Sequence, residues 1–493
     1  MLKTIKEFVE AIHADGFTNV VLLGMGGSSL APEVMSVTYS AYHSKVEGLQ
    51  FEILDSTDPR MVEAVAARNA VESTLFIVSS KSGSTSEVFA MYEYFMGLAK
   101  ESLGSAAGKH FVAITDPGSK LQRIAIEENF RRVFLGEPSI GGRFSALSVF
   151  GLVPAALIGY DLDKLIANSA EMADYCKNSN DLLLNPGYVL GGQLASAWEN
   201  GRDKLTVVAD EEYRSFGSWL EQLIAESTGK EGKGVVPVDL EPMATLESYG
   251  NDRVFVYFRS NGSKDEFVKS LEDKFPVLIY DLDNEYDIGR EFFRWEFATA
   301  VLCALMKVNA FDQPDVQDNK TRTESKLEDF AKYGILETPA GTYVNGVLLN
   351  SPNAVDEENL NANVSHLLSS AKDQDYIAIN AYIERNAENE TLLEELRSKI
   401  LNKYQKATTL GFGPRFLHST GQLHKGGPNT GVFLQLNADA VTSLPIPHMP
   451  YSFEVLERAQ SIGDYEALVA RDRRILRLTF PSMENMADWI RSY

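Results

Sequence analysis

Cysteine is scarce in this chain, which has two cysteines, Cys176 and Cys303, among 493 residues. Two cysteines cannot build a disulfide framework or a zinc site of paired cysteines. Cys303 lies within the apolar run FATAVLCALM, where we expect a core residue, because free cysteine behaves as a small hydrophobe. The sequence therefore excludes disulfide-stapled and cysteine-ligated zinc proteins.

Positive charge is also in short supply, since 46 Lys and Arg face 69 Asp and Glu and the net charge is −23. Nucleic acids and anionic membranes require a basic surface, so neither is an expected partner. If the substrate is an anion, its site must concentrate positive charge locally against an adverse overall field.

Long hydrophobic runs are missing as well. The most apolar stretch, ALSVFGLVPAALIGY, is too short to span a bilayer and contains Pro154. The N-terminal MLKTIKEFVEAIHADGF predicts an amphipathic helix and lacks the features of a signal peptide. We therefore expect a cytoplasmic protein.

Short β-branched runs alternate with helical patterns through the first third of the chain. Strands are predicted at TNVVLLG, LQFEILDS, STLFIVSS, HFVAITD and RRVFLG. This alternation is typical of βαβ units and a parallel sheet, in which ligands bind at the carboxyl ends of the strands.

The alternation restarts near Asp203 and changes again near Gly334, where ILETPAGTYVNGVLLN predicts a hairpin. We predict an α/β protein with two three-layer αβα domains, residues 1–165 and 166–332. A carboxyl-terminal α/β segment is predicted over residues 333–493.

Two loops that follow predicted strands and open helices could bind phosphate. GMGGSSLAPE, residues 24–33, departs from both the GxGxxG and the Walker A pattern, and a plain turn is its alternative interpretation. SSKSGSTSE, residues 79–87, combines a helix N-terminus, hydroxyl groups and Lys81, although a serine-rich N-cap would look the same. Two such loops from one sheet favour a monophosphate over a dinucleotide.

Several charged or polar residues stand at unusual places. Arg143 follows two glycines, and Glu226 lies on the last turn of a helix, where the dipole disfavours a carboxylate. Gln313 and Lys320 flank the helix break at Pro314. Each could equally be a solvated surface residue when considered alone.

Two of the seven histidines, His418 and His424, lie in GFGPRFLHSTGQLHKGGPNTG, residues 411–431. They could be ligands, catalysts or solvated loop residues. Two histidines without a carboxylate or cysteine at ligand spacing do not make a metal site, so no metal is expected.

Five segments, in this order, resemble motifs of glucose-6-phosphate isomerases: GMGGSSLAP, SKSGSTSE, IGGRFS, ESTGK and FDQPDVQDNK. The family has Asn, Gly and Glu where this chain has Thr228, Asp315 and Gln317. Its histidine motif normally precedes the FDQ segment, whereas here the similar LHSTGQLHKGG follows it by about a hundred residues. That order resembles the isomerase half of fused transaldolase/glucose-6-phosphate isomerases. No transaldolase barrel precedes Met1 here, so this chain would be the isomerase part alone.

The resemblance implies sugar-isomerase-type domains and interconversion of glucose 6-phosphate and fructose 6-phosphate through a cis-enediolate, without a cofactor. Glu226 would be the base, Arg143 the enediolate stabiliser, and His418 with Lys320 the ring-opening groups, while His424 would be structural. The substrate-binding residues implied by the family motifs are Gly27, Ser28, Ser80, Lys81, Ser82, Thr85 and Gln313. A homodimer is possible, with His418 acting in its own or a partner chain's site.

Three other functions remain open on the sequence. A different sugar-phosphate isomerase of the same fold would share the phosphate loops. A non-enzymatic sugar-phosphate sensor would need those loops but not Glu226, Arg143 and Lys320. A Rossmann dehydrogenase is disfavoured because Ser29 occupies the place of the third glycine.

Overall fold

The computed structural model describes residues 1–43, 48–177, 181–353, 355–439 and 442–493. These residues form three β-sheets flanked by helices. The α/β fold class predicted from the sequence is confirmed. One sheet falls within each of the intervals 1–165, 166–332 and 333–493, and the exact domain boundaries stay a prediction.

The first sheet has five parallel strands in the order β2-β1-β3-β4-β5. Its strands are β1 (Asn19–Gly24), β2 (Gln50–Leu54), β3 (Thr74–Ser79), β4 (Phe111–Thr115) and β5 (Arg132–Leu135). Its helices are α1 (Leu2–Ala14), α2 (Leu30–Tyr42), α3 (Pro59–Arg68), α4 (Ser86–Leu103), α5 (Lys120–Glu127) and α6 (Val149–Ile158).

The second sheet has four parallel strands in the order β7-β6-β8-β9. Its strands are β6 (Lys204–Ala209), β7 (Val236–Val238), β8 (Arg253–Arg259) and β9 (Val277–Asp281). The helices of this part of the chain are α7 (Leu162–Cys176), α8 (Pro186–Glu199), α9 (Phe216–Thr228), α10 (Asp265–Leu271), α11 (Asp287–Met306) and α12 (Val316–Tyr333).

The third sheet is mixed, in the order β10-β11-β15-β14-β12-β13, with an antiparallel hairpin at one edge. Its strands are β10 (Thr342–Val344), β11 (Val347–Asn350), β12 (Tyr376–Tyr382), β13 (Ala407–Phe412), β14 (Gly431–Ala438) and β15 (Arg474–Phe480). Its helices are α13 (Leu360–Ser369), α14 (Ala387–Tyr404), α15 (Gly421–Gly426), α16 (Phe453–Val469) and α17 (Met483–Ser492).

The first and second sheets share one hydrophobic core. Leu22 and Ile77 of the first sheet belong to the same buried cluster as Leu205 and Val256 of the second, with Trp219 among them. Burying apolar surface in one shared core is the main favourable term that holds the two sheets together.

Helix α16 of the carboxyl-terminal segment packs against the other face of the first sheet. Phe76 and Val78 of β3 share a buried cluster with Phe453 and Leu456 of α16. This packing brings α16, which is remote in sequence, to the helix that follows β3.

Two features of the third segment differ from the sequence prediction. Strands β13 and β15 were not predicted, and the region of residues 411–431, interpreted as a glycine-rich loop, contains a 3₁₀ turn and α15. The helical turns are stabilised because Phe416 and Leu423 are buried, which packs the segment against the core. Within the described part of the chain, we found no helix with the length and apolar character needed to cross a membrane.

Candidate functional site

Helix α9 organises the candidate site. Its buried apolar residues Phe216, Trp219, Leu220 and Leu223 recur at helical spacing and fix the helix on the core. The polar side chains of Gln222 and Glu226, four residues apart, therefore share another face of the helix.

Glu226 lies in the last turn of α9, as the sequence predicts. Its Oε2 atom is 3.5 Å from Nη1 of Arg143 and accepts a hydrogen bond of 3.2 Å from Nε2 of Gln222. Burial raises the pKa of this carboxyl above its usual range, although the positive charges of Arg143 and His418 and the hydrogen bond from Gln222 oppose the rise. A carboxylate of raised pKa in a water-poor site is suited to proton transfer.

Arg143 is held rigidly in the 3₁₀ turn Gly142–Phe144, with its side chain 3% exposed. Its Nε atom donates to Oγ of Ser227 (2.8 Å) and Nη1 donates to Oε1 of Gln313 (3.0 Å). Nη2 donates to the carbonyl oxygens of Ala310 (2.6 Å) and Asp312 (3.0 Å). These bonds use four of the five N–H groups of the guanidinium. The remaining one, the second N–H of Nη1, is available to face Glu226.

The two predicted phosphate loops lie side by side. Strands β1 and β3 are parallel neighbours, with Gly24 opposite Ser79, so the loops leave the same edge of the sheet. Each loop leads into a helix, α2 or α4, whose first N–H groups favour an anion. Oγ of Ser80 and Oγ1 of Thr85 are 3.0 Å apart, which closes the second loop on itself.

The first loop requires glycine at two positions. Gly26 has a φ of +55°, and a Cβ atom there would lie 3.0 Å from the carbonyl oxygen of His418. A Cβ atom on Gly27 would lie 2.2 Å from the carbonyl oxygen of Gly142. The loop that carries Ser28 is therefore pressed directly against the turn of Arg143 and the histidine segment.

The structure pairs the side chain of Lys81 with groups outside its own loop. Its Nζ atom forms an ion pair with Asp116 and donates to the carbonyl oxygen of Pro138 at 3.3 Å. A role for this lysine in binding phosphate stays a prediction.

His418 ends the 3₁₀ turn Arg415–His418, which follows β13. Its Nε2 atom lies 2.8 Å from Oε1 of Glu87, and its carbonyl oxygen accepts a 2.8 Å hydrogen bond from Nε2 of Gln222. Burial alone would raise the pKa of Glu87, but the charge and the hydrogen bond of His418 lower it to about 2. Glu87 is therefore an ionised carboxylate, and its Oε1 atom accepts a hydrogen bond from the Nε2–H group of His418.

His424, in α15, is a core residue. It is buried beside Phe433 and Phe416, and neither of its ring nitrogens has a hydrogen-bond partner among the described residues. Burial, together with the positive charges of Lys425 and Arg473, holds its pKa well below the usual range. The imidazole is neutral and has no chemical partner, which supports the structural role implied by the family resemblance.

A cavity of about 570 Å³ opens beside the second loop and His418, and neither Glu226 nor Arg143 is among the described residues that line it. Its lining includes Ser82 and Thr85 of the second loop, Glu87, His418 and Lys320. The exposed side chain of Lys320, in the first turns of α12, has no hydrogen bond or ion pair to any residue that the structure describes. Its ammonium group is therefore available to bind an anionic ligand.

Two residues of this arrangement were missed in the sequence. Glu87 is the last letter of SSKSGSTSE, but an acidic residue in the first turn of a helix is usually explained by the helix dipole. Gln222 could have been found from its position four residues before Glu226 on the same helix.

Two of the departures from the family motifs have structural explanations. Gln422, which is fully buried, donates to Oδ2 of Asp315 (2.7 Å) and accepts from the backbone N–H of Asp315 (2.9 Å). Asp315 thus ties the start of α12 to the displaced histidine segment. Thr228 donates to the carbonyl of Ile224 and accepts from the N–H of Val235, so its hydroxyl is used within the fold.

Large parts of the chain are similar to known isomerases. Residues 1–241 match the family model described as phosphoglucose isomerase. A protein of Methanococcus maripaludis named "Probable glucose-6-phosphate isomerase" is 28% identical over 365 residues, which cover 65% of this chain and 82% of that protein. A glucose-6-phosphate isomerase of Rippkaea orientalis is 35% identical over 247 residues, covering 47% of this chain and 45% of the relative.

A crystal structure of a glucose-6-phosphate isomerase from Chlamydia trachomatis superposes with a TM-score of 0.57. The superposition covers 67% of this chain and 74% of the other, with 20% sequence identity. At this identity the likeness shows a shared fold, which is the sugar-isomerase type implied by the sequence motifs.

Proposed function

We propose that the protein is a glucose-6-phosphate isomerase that interconverts glucose 6-phosphate and fructose 6-phosphate by proton transfer. One observation carries this proposal: Gln222 joins the carboxylate of Glu226 to the carbonyl of His418, with Arg143 beside the carboxylate. A base, a fixed cation and an imidazole are thus collected at one place, as an aldose–ketose isomerisation requires.

Substrate binding is assigned to the loops at the edge of the first sheet. Hydroxyl groups and helix N-termini around Ser28, Ser80, Ser82 and Thr85 hold the phosphate, and the charge of Lys320 adds local attraction. Holding the phosphate places the sugar carbons near Glu226 and Arg143 without using those groups for binding.

Ring opening is assigned to His418 and Lys320. The Nε2 proton of His418 points to Glu87, so Nδ1, which has no partner among the described residues, is the nitrogen left for the sugar. It accepts the proton of the anomeric hydroxyl, while the ammonium of Lys320 supplies a proton to the ring oxygen.

Isomerisation is assigned to Glu226 and Arg143. Glu226 takes the proton from carbon two and returns it to carbon one, and the hydroxyl proton on oxygen two passes to oxygen one within the cis-enediolate. The guanidinium of Arg143 stabilises that enediolate. The raised pKa of Glu226 makes it a stronger base than an exposed glutamate, and the water-poor surroundings strengthen the attraction of Arg143.

The direct test is conversion of fructose 6-phosphate, with glucose 6-phosphate as the detected product. Glu226→Gln should lower kcat by about 10²- to 10⁴-fold, the usual contribution of a general base, with little change in KM. Glu266→Gln, on the exposed face of α10, is the matched control. In heavy water, deuterium should enter carbon one or two of the sugar. An unchanged kcat in Glu226→Gln would remove this residue from the mechanism.

The same assay distinguishes the other candidate functions. A sensor would bind both sugar phosphates without converting them, and an isomerase for another sugar would convert that sugar faster. His418 and its partners Glu87 and Gln222 belong to one chain, which supports a site that needs no second subunit. The homodimer, the cytoplasmic location and the kinship with fused transaldolase enzymes stay predictions.

A further inference from the structure

Gln460 reaches Glu87 from the carboxyl-terminal segment. It lies on α16, is 2% exposed, and its Nε2 atom donates to Oε1 of Glu87 at 2.7 Å. The same carboxylate oxygen accepts from Nε2 of His418 at 2.8 Å. Two donors therefore converge on one oxygen of a buried carboxylate.

Thr57 determines which way the amide of Gln460 faces. The hydroxyl of Thr57, which is fully buried in the segment between β2 and α3, donates to Oε1 of Gln460 at 2.9 Å. An amide oxygen turned toward Glu87 would place two acceptors against each other, so both ends of the amide are assigned. Thr57 thus donates to Gln460 and Gln460 donates to Glu87, while His418 donates to the same carboxylate from the other side.

We propose that Gln460 is a positioning residue for ring opening that acts on His418 through Glu87. This inference rests on the proposed isomerase function. It assigns to α16 a part in the reaction, in addition to the histidine carried by the segment between β13 and β14.

The effect of Gln460 follows from the bonds that hold Glu87. Ser86 donates to the other oxygen, Oε2, at 2.9 Å, so each carboxylate oxygen has an assigned donor. Without the bond from Gln460, the carboxylate can turn about its last torsion and Oε1 loses one of its two donors. The imidazole of His418, which depends on that oxygen, then loses its fixed orientation and its Nδ1 atom no longer points reliably at the sugar.

Gln460→Leu removes both hydrogen bonds at similar volume, and Thr57→Val removes only the bond that orients the amide. The matched control is Ser461→Ala, on the same helix and equally buried, because Ser461 bonds to Gln435 and Asn437 of the third sheet and not to Glu87. If packing of α16 were the cause, the control would behave like Gln460→Leu.

We expect Gln460→Leu to lower kcat on cyclic glucose 6-phosphate by about tenfold, the value of one hydrogen bond to a charged group, with KM unchanged. An open-chain sugar phosphate that cannot close a ring should be converted at nearly the parent rate. Thr57→Val should have a smaller effect, and none in the background of Gln460→Leu. Equal losses on cyclic and open-chain substrates, or additive effects in the double variant, would overturn the proposal.

A second measurement separates this inference from the proposed function. In the parent, the Nε2 proton of His418 should give a nuclear magnetic resonance signal protected from exchange with water, assigned by its loss in His418→Gln. The signal should be lost through exchange in Gln460→Leu and kept in Ser461→Ala. If the parent has no isomerase activity, the proposed function fails, while this signal still tests the contact. A signal unchanged in Gln460→Leu would refute the positioning role.

Discussion

Replacing Glu221 with glutamine should stabilise the protein at alkaline pH. Glu221 lies on α9, where its Oε1 atom accepts a 2.9 Å hydrogen bond from Oγ of Ser419, next to His418. Burial and the charge of Asp239 raise the pKa of Glu221 to about 7, despite the opposing hydrogen bond from Ser419 and the positive charges of Arg415 and Arg397. The fold therefore disfavours the ionised form of this side chain.

The magnitude follows from the two pKa values. Each pKa unit between the folded and unfolded states corresponds to about 1.4 kcal/mol. A rise in the pKa of Glu221 from 4.5 to about 7 on folding lowers the free energy of unfolding by up to about 3 kcal/mol at pH 8, where Glu221 is ionised in both the folded and the unfolded state. At pH 5 the folded state holds the proton and the cost falls to about 1 kcal/mol. Because the side chain keeps some contact with water, we expect about 2 kcal/mol at pH 8.

The sign of the pH dependence is the reverse of that for a salt-bridged carboxylate. Since the folded pKa is raised, the stability of the parent is fully present below pH 4.5 and is lost as the pH rises through about 7. Glutamine keeps an oxygen that can accept from Ser419 and carries no charge. The advantage of Glu221→Gln over the parent should therefore grow between pH 5 and pH 8.

Urea unfolding followed by circular dichroism at pH 5 and pH 8 measures this difference. Glu10→Gln, on the exposed face of α1, controls for removing one negative charge from an acidic protein. A Glu221→Gln variant whose advantage is the same at both pH values, or that is less stable than the parent at pH 8, would refute the reasoning.

Three further outcomes are expected. Because burial raises the pKa of Glu226 and the base must be ionised, the acid limb of kcat/KM should lie above the ordinary glutamate range and move when Arg143 is replaced by lysine; a pH–rate profile checks this. His424→Phe should keep activity and gain about 1 kcal/mol of stability, since the buried imidazole has no partner among the described residues; urea unfolding measures it. Asp315→Ala should destabilise by about 1–3 kcal/mol in the same assay, because it leaves a donor of Gln422 unpaired.

Patterns of local sequence were sufficient for most elements of the fold. The alternation of buried runs with helices predicted the first two sheets, and the amphipathic N-terminus predicted α1, because these signals depend only on neighbouring residues. Strands β13 and β15 were not predicted, since Ala407–Phe412 has a glycine near its end and Arg474–Phe480 has arginines within it. Such strands are stabilised by pairing with partners that are distant in the chain.

For the candidate site, the sequence by itself determined which residue types are present. It placed the phosphate loops and Glu226 at the ends of strands and helices, Arg143 after two glycines and His418 in a glycine-rich loop, because turns and helix termini have local signatures. Only the tertiary structure decided their partners. It brought Glu87 to His418 across 331 positions and Gln460 to Glu87 across 373, and it turned Lys81 toward Asp116. A hydrogen bond between distant residues is set by how sheets and helices pack, and no local pattern of letters encodes that packing.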